Sequence, residues 1–419
     1  MSTYFDVTDL VQYAKGHNRV SGIQRVQWRI LTELAHGPDA DTVQLCFYSS
    51  QRRQHLSIPA TAVFSEAHAE FNAGLLLRTL GEIQPGVLPP RHEIKRLLKP
   101  YEGRKWLRGL RKGQLYLTAL LQPEALLAQG VEDWRDAQPL RVARPLARPL
   151  HLQARDQLAL FGAYWDHDPV IQLALAHRRA QGDVAMLVHD VIPDAAPALC
   201  TDSQVRQFRQ RMALFPRVAN RFLAVSRFTA QDFVQAMHGA VHLDDVQVVP
   251  LAHAFGHSPR CTHAPRLAPH TETGQRQVLC VGTIEARKNQ LVLLQAWQQL
   301  IERFGEQTPE LVLCGKFGSK PAAFKALLAS DLALQRKVRI VSAPSDAQLA
   351  EQYAQAWFTV FPSLYEGWGL PVGEAAWLGK VCLASNASSV PEVLGEAGAY
   401  LSPHHPEDWA TLIGHLITA

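Results

Sequence analysis

Two carboxylates and three glycines fall inside one short stretch, FPSLYEGWGLPVGEA, residues 361–375. Glu366 and Glu374 are separated by seven residues, and Gly367 and Gly369 let the backbone approach a ligand closely. The preceding run WFTVF (357–361) is apolar, β-branched and aromatic and reads as a buried strand. Pro371 opens a helical pattern that continues through Glu374, Ala375, Ala376 and Leu378. Proline suits the first helical position, where its missing N–H has no partner to lose, and the amides from Gly369 to Val372 then face outward as an anion site. Such an arrangement leaves a phosphate-shaped site, with Glu366 on the loop and Glu374 on the helix able to flank whatever sits there. The spacing alone is equally that of a strand, a turn and a helix with two solvated glutamates.

The rest of the chain must position this stretch. At 419 residues it is too long for one comfortable core, so two domains are expected. With 47% apolar and 19% charged residues the balance is that of a globular protein. A net charge of +4 is too slight to imply nucleic acid. The N-terminus MSTYFDVTDL has no basic region followed by an apolar one, and no run of about eighteen apolar residues occurs, so neither a signal peptide nor a transmembrane helix is expected. The chain is therefore expected in the cytoplasm. Six cysteines without CxxC pairs read as free thiols, with Cys280, Cys314 and Cys382 as small buried hydrophobes, and no structural metal is expected.

In chain order, YFDVTDLV reads as a strand and its exit. A helix follows in which Ile23, Val26, Ile30, Leu31 and Leu34 share a face, with Gly22 in the turn and Ser21 as N-cap. VQLCFY (43–48), QLALFG (157–162), VAMLVH (184–189) and RFLAVS (221–226) read as buried parallel-sheet strands. Residues 91–112 are crowded with lysine and arginine around Leu97, Leu98, Trp106, Leu107 and Leu110. They suit either an anionic bilayer surface or a solvated, salt-bridged helix face. QPLRVARPLARPLH (138–151) reads as part of an insertion at about 85–155. His189 and Asp190 stand at the carboxyl end of a strand, where open α/β sheets bind ligands. Ser226, in VSRFTAQDF at a strand-to-helix junction, reads either as a helix cap or as part of a ligand-facing motif. The segment 256–275 reads as a linker, and QVLCVG (277–282) starts the second domain, with Arg287 and Lys288 between that strand and the next helix. ELVLCG (310–315) leads to Lys316, and VRIVSAPSDAQLAEQYAQA is a strand, a turn and a helix. Ser389 and Glu392 have the spacing of a capping box.

The whole stretch 361–375 resembles the Glu-(seven residues)-Glu signature of the retaining nucleotide-sugar glycosyltransferases of family 4. SGIQRV, VHDVIPDAAP, GTIEARKN and PEVLGEAGAY resemble further segments of that family. The resemblance implies a GT-B fold: two Rossmann-like parallel-sheet domains facing each other across a cleft, here 1–255 and 276–419. It places Arg287 and Lys288 on the donor's diphosphate with Lys316 adding to the phosphate field, although Thr283 stands where many members carry arginine. It further implies Glu374 on the ribose, Glu366 on the transferred sugar, His189 and Asp190 facing sugar and acceptor, and Gly367, Gly369, Leu370, Gly22 and Arg25 lining the donor site. Members usually end in a long helix crossing back to the first domain, whereas this sequence stops at Ile417-Thr418-Ala419 within an apparent helix, so either a truncated chain or one module of a longer polymerising enzyme is expected.

The implied activity is transfer of a hexose, best a mannose or deoxymannose from a GDP-sugar, to a hydroxyl of a growing, lipid-linked bacterial surface glycan. Arg287, Lys288 and helix amides would neutralise the leaving diphosphate, so no divalent metal and no cofactor is expected. Expected partners are the nucleotide-sugar donor, the glycan acceptor and the inner face of the plasma membrane. A nucleotide-sugar epimerase or a phosphorylase of the same architecture, and a non-catalytic nucleotide-sugar-binding module, are the alternatives.

Overall fold

The computed structural model describes the chain except for residues 18–19, 21, 65–70, 83–90, 123, 128–145, 256–257, 264–266, 268–275, 343 and 419. Ser21, most of the expected linker and much of the expected insertion therefore lie outside the described residues. Two sheets organise the rest. The first contains β1 (Thr3–Asp6), β2 (Val43–Ser49), β3 (Gln54–Pro59), β4 (Arg148–Pro149), β5 (Gln157–Leu160), β6 (Asp183–Val188), β7 (Arg221–Ala224) and β8 (Val246–Val248), in the order β4-β3-β2-β1-β5-β6-β7-β8. β2, β1, β5 and β6 pair in parallel, while β3 and β4 form an antiparallel edge. Pro149 is tolerated because it lies on the outermost strand.

The second sheet holds β9 (Gln277–Val281), β10 (Glu310–Cys314), β11 (Val338–Val341), β12 (Phe358–Phe361), β13 (Cys382–Ser385) and β14 (Ala399–Leu401), in the order β11-β10-β9-β12-β13-β14. Every pairing in it is parallel. Helices cover its faces. Helix Gln290–Phe304 buries Val292, Leu293, Ala296, Trp297 and Leu300, and helix Pro406–Thr418 packs against it through Trp409 and Ile413. Both indoles find carbonyl partners, Trp297 at Pro309 (2.9 Å) and Trp409 at Ser402 (2.8 Å), as buried N–H groups require. Strand order reverses between β9 and β12, so the loops after these two strands border the crevice where such sheets take ligands.

By mutual contact the described residues form two compact units, 1–187 with 214–222 and 188–213 with 223–419. In the first, helix Ile23–His36 buries Val26, Gln27, Trp28, Leu31, Thr32 and Ala35. The expected face through Ile23, Ile30 and Leu34 is thus rotated toward Gln27 and Trp28. Two contacts cause this: the Gln27 side-chain amide donates to the Asp6 carbonyl (2.6 Å), and Trp28 packs on Phe64 at 4.7 Å between ring centroids.

Asp6 is 3% exposed, with Thr8 donating to it from its amide (3.1 Å) and its hydroxyl (2.9 Å). Burial pushes its carboxyl up to about 7, against the Thr8 bonds and nearby His167. A carboxyl with a raised folded-state pKa supports the fold below its unfolded value of 3.8 and loses that support as pH rises through about 7. Asp6→Asn is accordingly expected to gain melting temperature relative to the parent between about pH 4 and pH 8. A difference constant over that range would contradict this account of Asp6.

Residues 91–127 build a satellite core of Ile94, Leu98, Leu115, Ala119 and Leu126 from helices Arg91–Leu98, Lys105–Leu121 and Glu124–Leu127. Helix Lys105–Leu121 leaves Trp106, Leu110, Leu117 and Leu121 exposed, at 57–70%. Its charged residues, Lys105, Arg108, Arg111 and Lys112, are all basic. Among the described residues no helix is long and apolar enough to cross a membrane.

Candidate active site

All the acidic and basic candidates except Arg25 lie in the second unit, and three of them meet at the reversal of strand order. The loop after β9 carries Arg287 and Lys288; the loop after β12 carries Glu366. Lys288 Nζ lies 2.5 Å from Glu366 Oε1, and Arg287 Nη1 lies 2.8 Å from Oε2. The Ser363 hydroxyl also donates to Oε1, at 2.5 Å. Arg287 further donates to the Tyr365 carbonyl (2.9 Å) and to Glu285 Oε1 (3.1 Å). Lys288 stands 5.0 Å from the Phe361 ring centroid.

Within the cluster Glu366 is buried, at 7% exposed, while Arg287 and Lys288 are partly buried. Burial opposes ionisation of Glu366, but Arg287 and Lys288, with hydrogen bonds from Lys288 and Ser363, outweigh it and hold the carboxyl down to about 2. Burial draws the Lys288 ammonium down, against the pull of Glu366. Arg287 is raised: Glu366, Glu285 and Asp190 outweigh its burial. The two cations are therefore already engaged. An incoming diphosphate would have to share them with Glu366 or take them over.

Asp190 follows β6, accepts a bond from the Ile192 amide (3.2 Å), and is raised by burial against the attraction of Arg287. His189 is 6% exposed, and its carbonyl packs against Gly367 so closely that a Cβ at 367 would overlap it. Gly367 is thus required by a close backbone approach.

The helix after the loop is Leu370–Trp377, with Gly369 as N-cap at φ 116. Leu370 is its first residue and Pro371 its second, one position later than expected. The amides expected to face outward are fewer as well, because Val372 donates to the Gly369 carbonyl (3.0 Å). Glu374 is 2% exposed and accepts a bond from the Tyr353 hydroxyl at 3.2 Å. Lys316 is exposed at the carboxyl end of β10, and its carbonyl accepts from Ile284 (2.8 Å). Gly22, at φ 56, is the N-cap of helix Ile23–His36 in the first unit, and Arg25 is partly buried in its first turn.

Ser226 caps helix Arg227–Ala236, its hydroxyl accepting from the Thr229 amide at 2.9 Å, as its place at a strand-to-helix junction predicts. The expected capping box at Ser389 and Glu392 does not form. The Ser389 hydroxyl instead donates to the carbonyls of Glu366 (2.8 Å) and Trp368 (3.2 Å). Ser388 accepts from the Glu366 amide at 2.8 Å. Ser388 and Ser363 were not singled out from sequence, where only the three-residue spacing of Ser363 from Glu366 hints at contact.

Known proteins show the same class. Residues 275–419 match the family model described as Glycosyl transferases group 1. O-antigen chain mannosyltransferase B of Escherichia coli is 30% identical over 218 residues, which is 52% of this chain and 56% of the relative. The D-inositol 3-phosphate glycosyltransferase of Corynebacterium jeikeium (strain K411) is 31% identical over 144 residues, 33% of this chain and 34% of the relative. The chain spans about half, or less, of the length of these relatives. Among solved structures, Anabaena Alr3699/HepE in complex with UDP superposes with a TM-score of 0.54 at 13% identity, covering 100% of this chain and 90% of that one. The fold is thus the expected GT-B architecture of two parallel-sheet domains, and residues 275–419 are similar to the group 1 glycosyltransferases.

Proposed function

We propose that the protein is a retaining glycosyltransferase that moves a hexose, a mannose or deoxymannose carried by GDP, to a hydroxyl of a growing, lipid-linked bacterial surface glycan. The observation that carries this reading is the ion-paired cluster of Arg287, Lys288 and Glu366 at the crevice between β9 and β12. Similarity to an O-antigen mannosyltransferase supports the choice of sugar. On entry the diphosphate takes over the bonds that Lys288 and Arg287 give to Glu366. The freed carboxylate accepts from hydroxyls of the transferred sugar. Glu374 accepts from the ribose hydroxyls.

In the transfer the bond from the sugar's anomeric carbon to the diphosphate oxygen breaks, with its electron pair leaving on that oxygen. The acceptor oxygen bonds to the same face of the carbon and gives its proton to the leaving phosphate. Arg287 and Lys288 stabilise the charge that develops there, so this chemistry asks for no divalent metal. His189 and Asp190 border the acceptor side. The test is incubation with GDP-mannose, UDP-glucose and dTDP-rhamnose together with a lipid-linked glycan. A glycosidic product with retained configuration from the GDP-sugar supports the reading. Interconversion of a donor without acceptor would instead identify an epimerase.

The exposed stripe of Trp106, Leu110, Leu117 and Leu121 on an exclusively basic helix fits an anionic bilayer surface, where a lipid-linked acceptor resides. Vesicles containing phosphatidylglycerol are expected to retain the protein in sedimentation and to lose it when Trp106 and Leu110 are replaced by aspartate. Equal retention of parent and variant would contradict this.

A further inference from the structure

Helix Arg227–Ala236 begins with three amides that lack partners within the helix, and all three are satisfied from outside it. The Ser226 hydroxyl takes that of Thr229 at 2.9 Å. The Glu392 carboxylate takes the other two, Oε2 accepting from Arg227 (2.8 Å) and Oε1 from Phe228 (2.7 Å). Glu392 lies more than 160 residues further along the chain, on helix Val390–Leu394. One carboxylate straddling two adjacent amides at the positive end of a helix holds position and orientation together.

That helix in turn holds the Glu366 loop. The Thr229 hydroxyl, itself receiving a bond from Ser226 at 3.0 Å, donates to the Gly367 carbonyl at 3.1 Å. The Phe228 ring meets Tyr365 at 5.6 Å between centroids. From the other side, Ser389, three residues before Glu392, donates to the carbonyls of Glu366 and Trp368. Two residues of one segment thus grip the loop, Ser389 directly and Glu392 through the helix that carries Thr229. Gly367 also seats the His189 carbonyl, so the same grip sets where Glu366 stands relative to His189 and Asp190.

We propose that Glu392 is a positioning residue of the transfer reaction, acting through Thr229 on the Gly367 carbonyl to hold the Glu366 loop against the His189–Asp190 segment. It touches neither donor nor acceptor. The kinetic half of this proposal rests on the glycosyltransferase reading; the structural half does not.

The experiment compares the full chain with its Glu392→Ala and Thr229→Val variants by amide hydrogen exchange and by transfer kinetics. Both variants are expected to exchange faster at residues 364–370, and Glu392→Ala also at residues 227 and 228, while β9 keeps the parent's protection. In transfer, kcat falls by about tenfold to a hundredfold with the donor KM within about threefold, as expected when a bound substrate is held slightly out of line. Unchanged exchange at 364–370 in either variant overturns the proposal, as does faster exchange of β9 to the same degree, which marks general loosening. A parent-like kcat in Glu392→Ala also overturns it. Exchange needs no substrate, so failure of the parent to bind any nucleoside diphosphate counts against the proposed function and leaves this exchange test standing.

Discussion

Glu366→Gln is expected to lower transfer by about two to three orders of magnitude, the size seen when one preorganised polar contact to a reacting group is removed. Its amide oxygen still accepts from Ser363, so the loop stays near its place. Glu366→Ala is a different experiment. It leaves Lys288 buried, with its ammonium deprived of the carboxylate 2.5 Å away. Breaking a buried pair from one side typically costs about 3–5 kcal/mol, a large part of the stability of a domain. Glu366→Ala is therefore expected to lose both activity and stability. The double variant Lys288→Met with Glu366→Gln, which removes both charges at similar volume, is expected to melt above Glu366→Ala and to remain inactive. Transfer by Glu366→Gln within about threefold of the parent would remove Glu366 from the chemistry, since loss of a single useful contact exceeds that.

The same cluster has a definite pH signature. Glu366 is held down to about 2 from an ordinary value of 4.5. Its contribution to stability is complete above 4.5 and is lost as pH falls toward about 2. In Glu366→Gln that acid-side loss is expected to shrink, read as a smaller fall in melting temperature over the same window.

Gly367→Ala is expected to be the most disruptive single-methyl change in the second unit. The added Cβ overlaps the His189 carbonyl oxygen and lies 3.1 Å from the Asp190 Cβ, so backbone has to move on one side or the other. Overpacking of this kind costs about 1–3 kcal/mol. Movement away from His189 also strains the Thr229 bond to the Gly367 carbonyl. A lower melting temperature together with loss of transfer is expected, and a variant with parent-like values of both would show that the loop has slack. Gly369→Ala strains the chain by another route, because φ 116 disfavours any side chain.

How much of this could be read from residues alone follows from which contacts are local. β9, β10 and β12 are largely buried on both faces, so they read as apolar runs, and the loops after them could be placed in their order. β3 escaped because it is an antiparallel strand near the sheet edge in which only Leu56 and Ile58 are buried. The helix Ile23–His36 was found, but its buried face was misjudged because Gln27 is polar. Nothing in its own sequence announces that the Asp6 carbonyl is its partner. The Ser389 and Glu392 spacing imitates a capping box, whereas the hydrogen bonds run to residues 21–165 positions away. Arg287 and Lys288 were recognised as candidates, yet their engagement with Glu366, 78 residues from Lys288, depends on the order of β9 and β12 in the sheet.

Calorimetric titration of the purified protein with GDP, UDP and dTDP, with EDTA present throughout, tests the central claim most directly. The account predicts saturable binding of GDP that survives EDTA and is lost in Lys288→Ala. Binding that vanishes with EDTA, or that Lys288→Ala leaves unchanged, would contradict a donor site built on Arg287, Lys288 and Glu366.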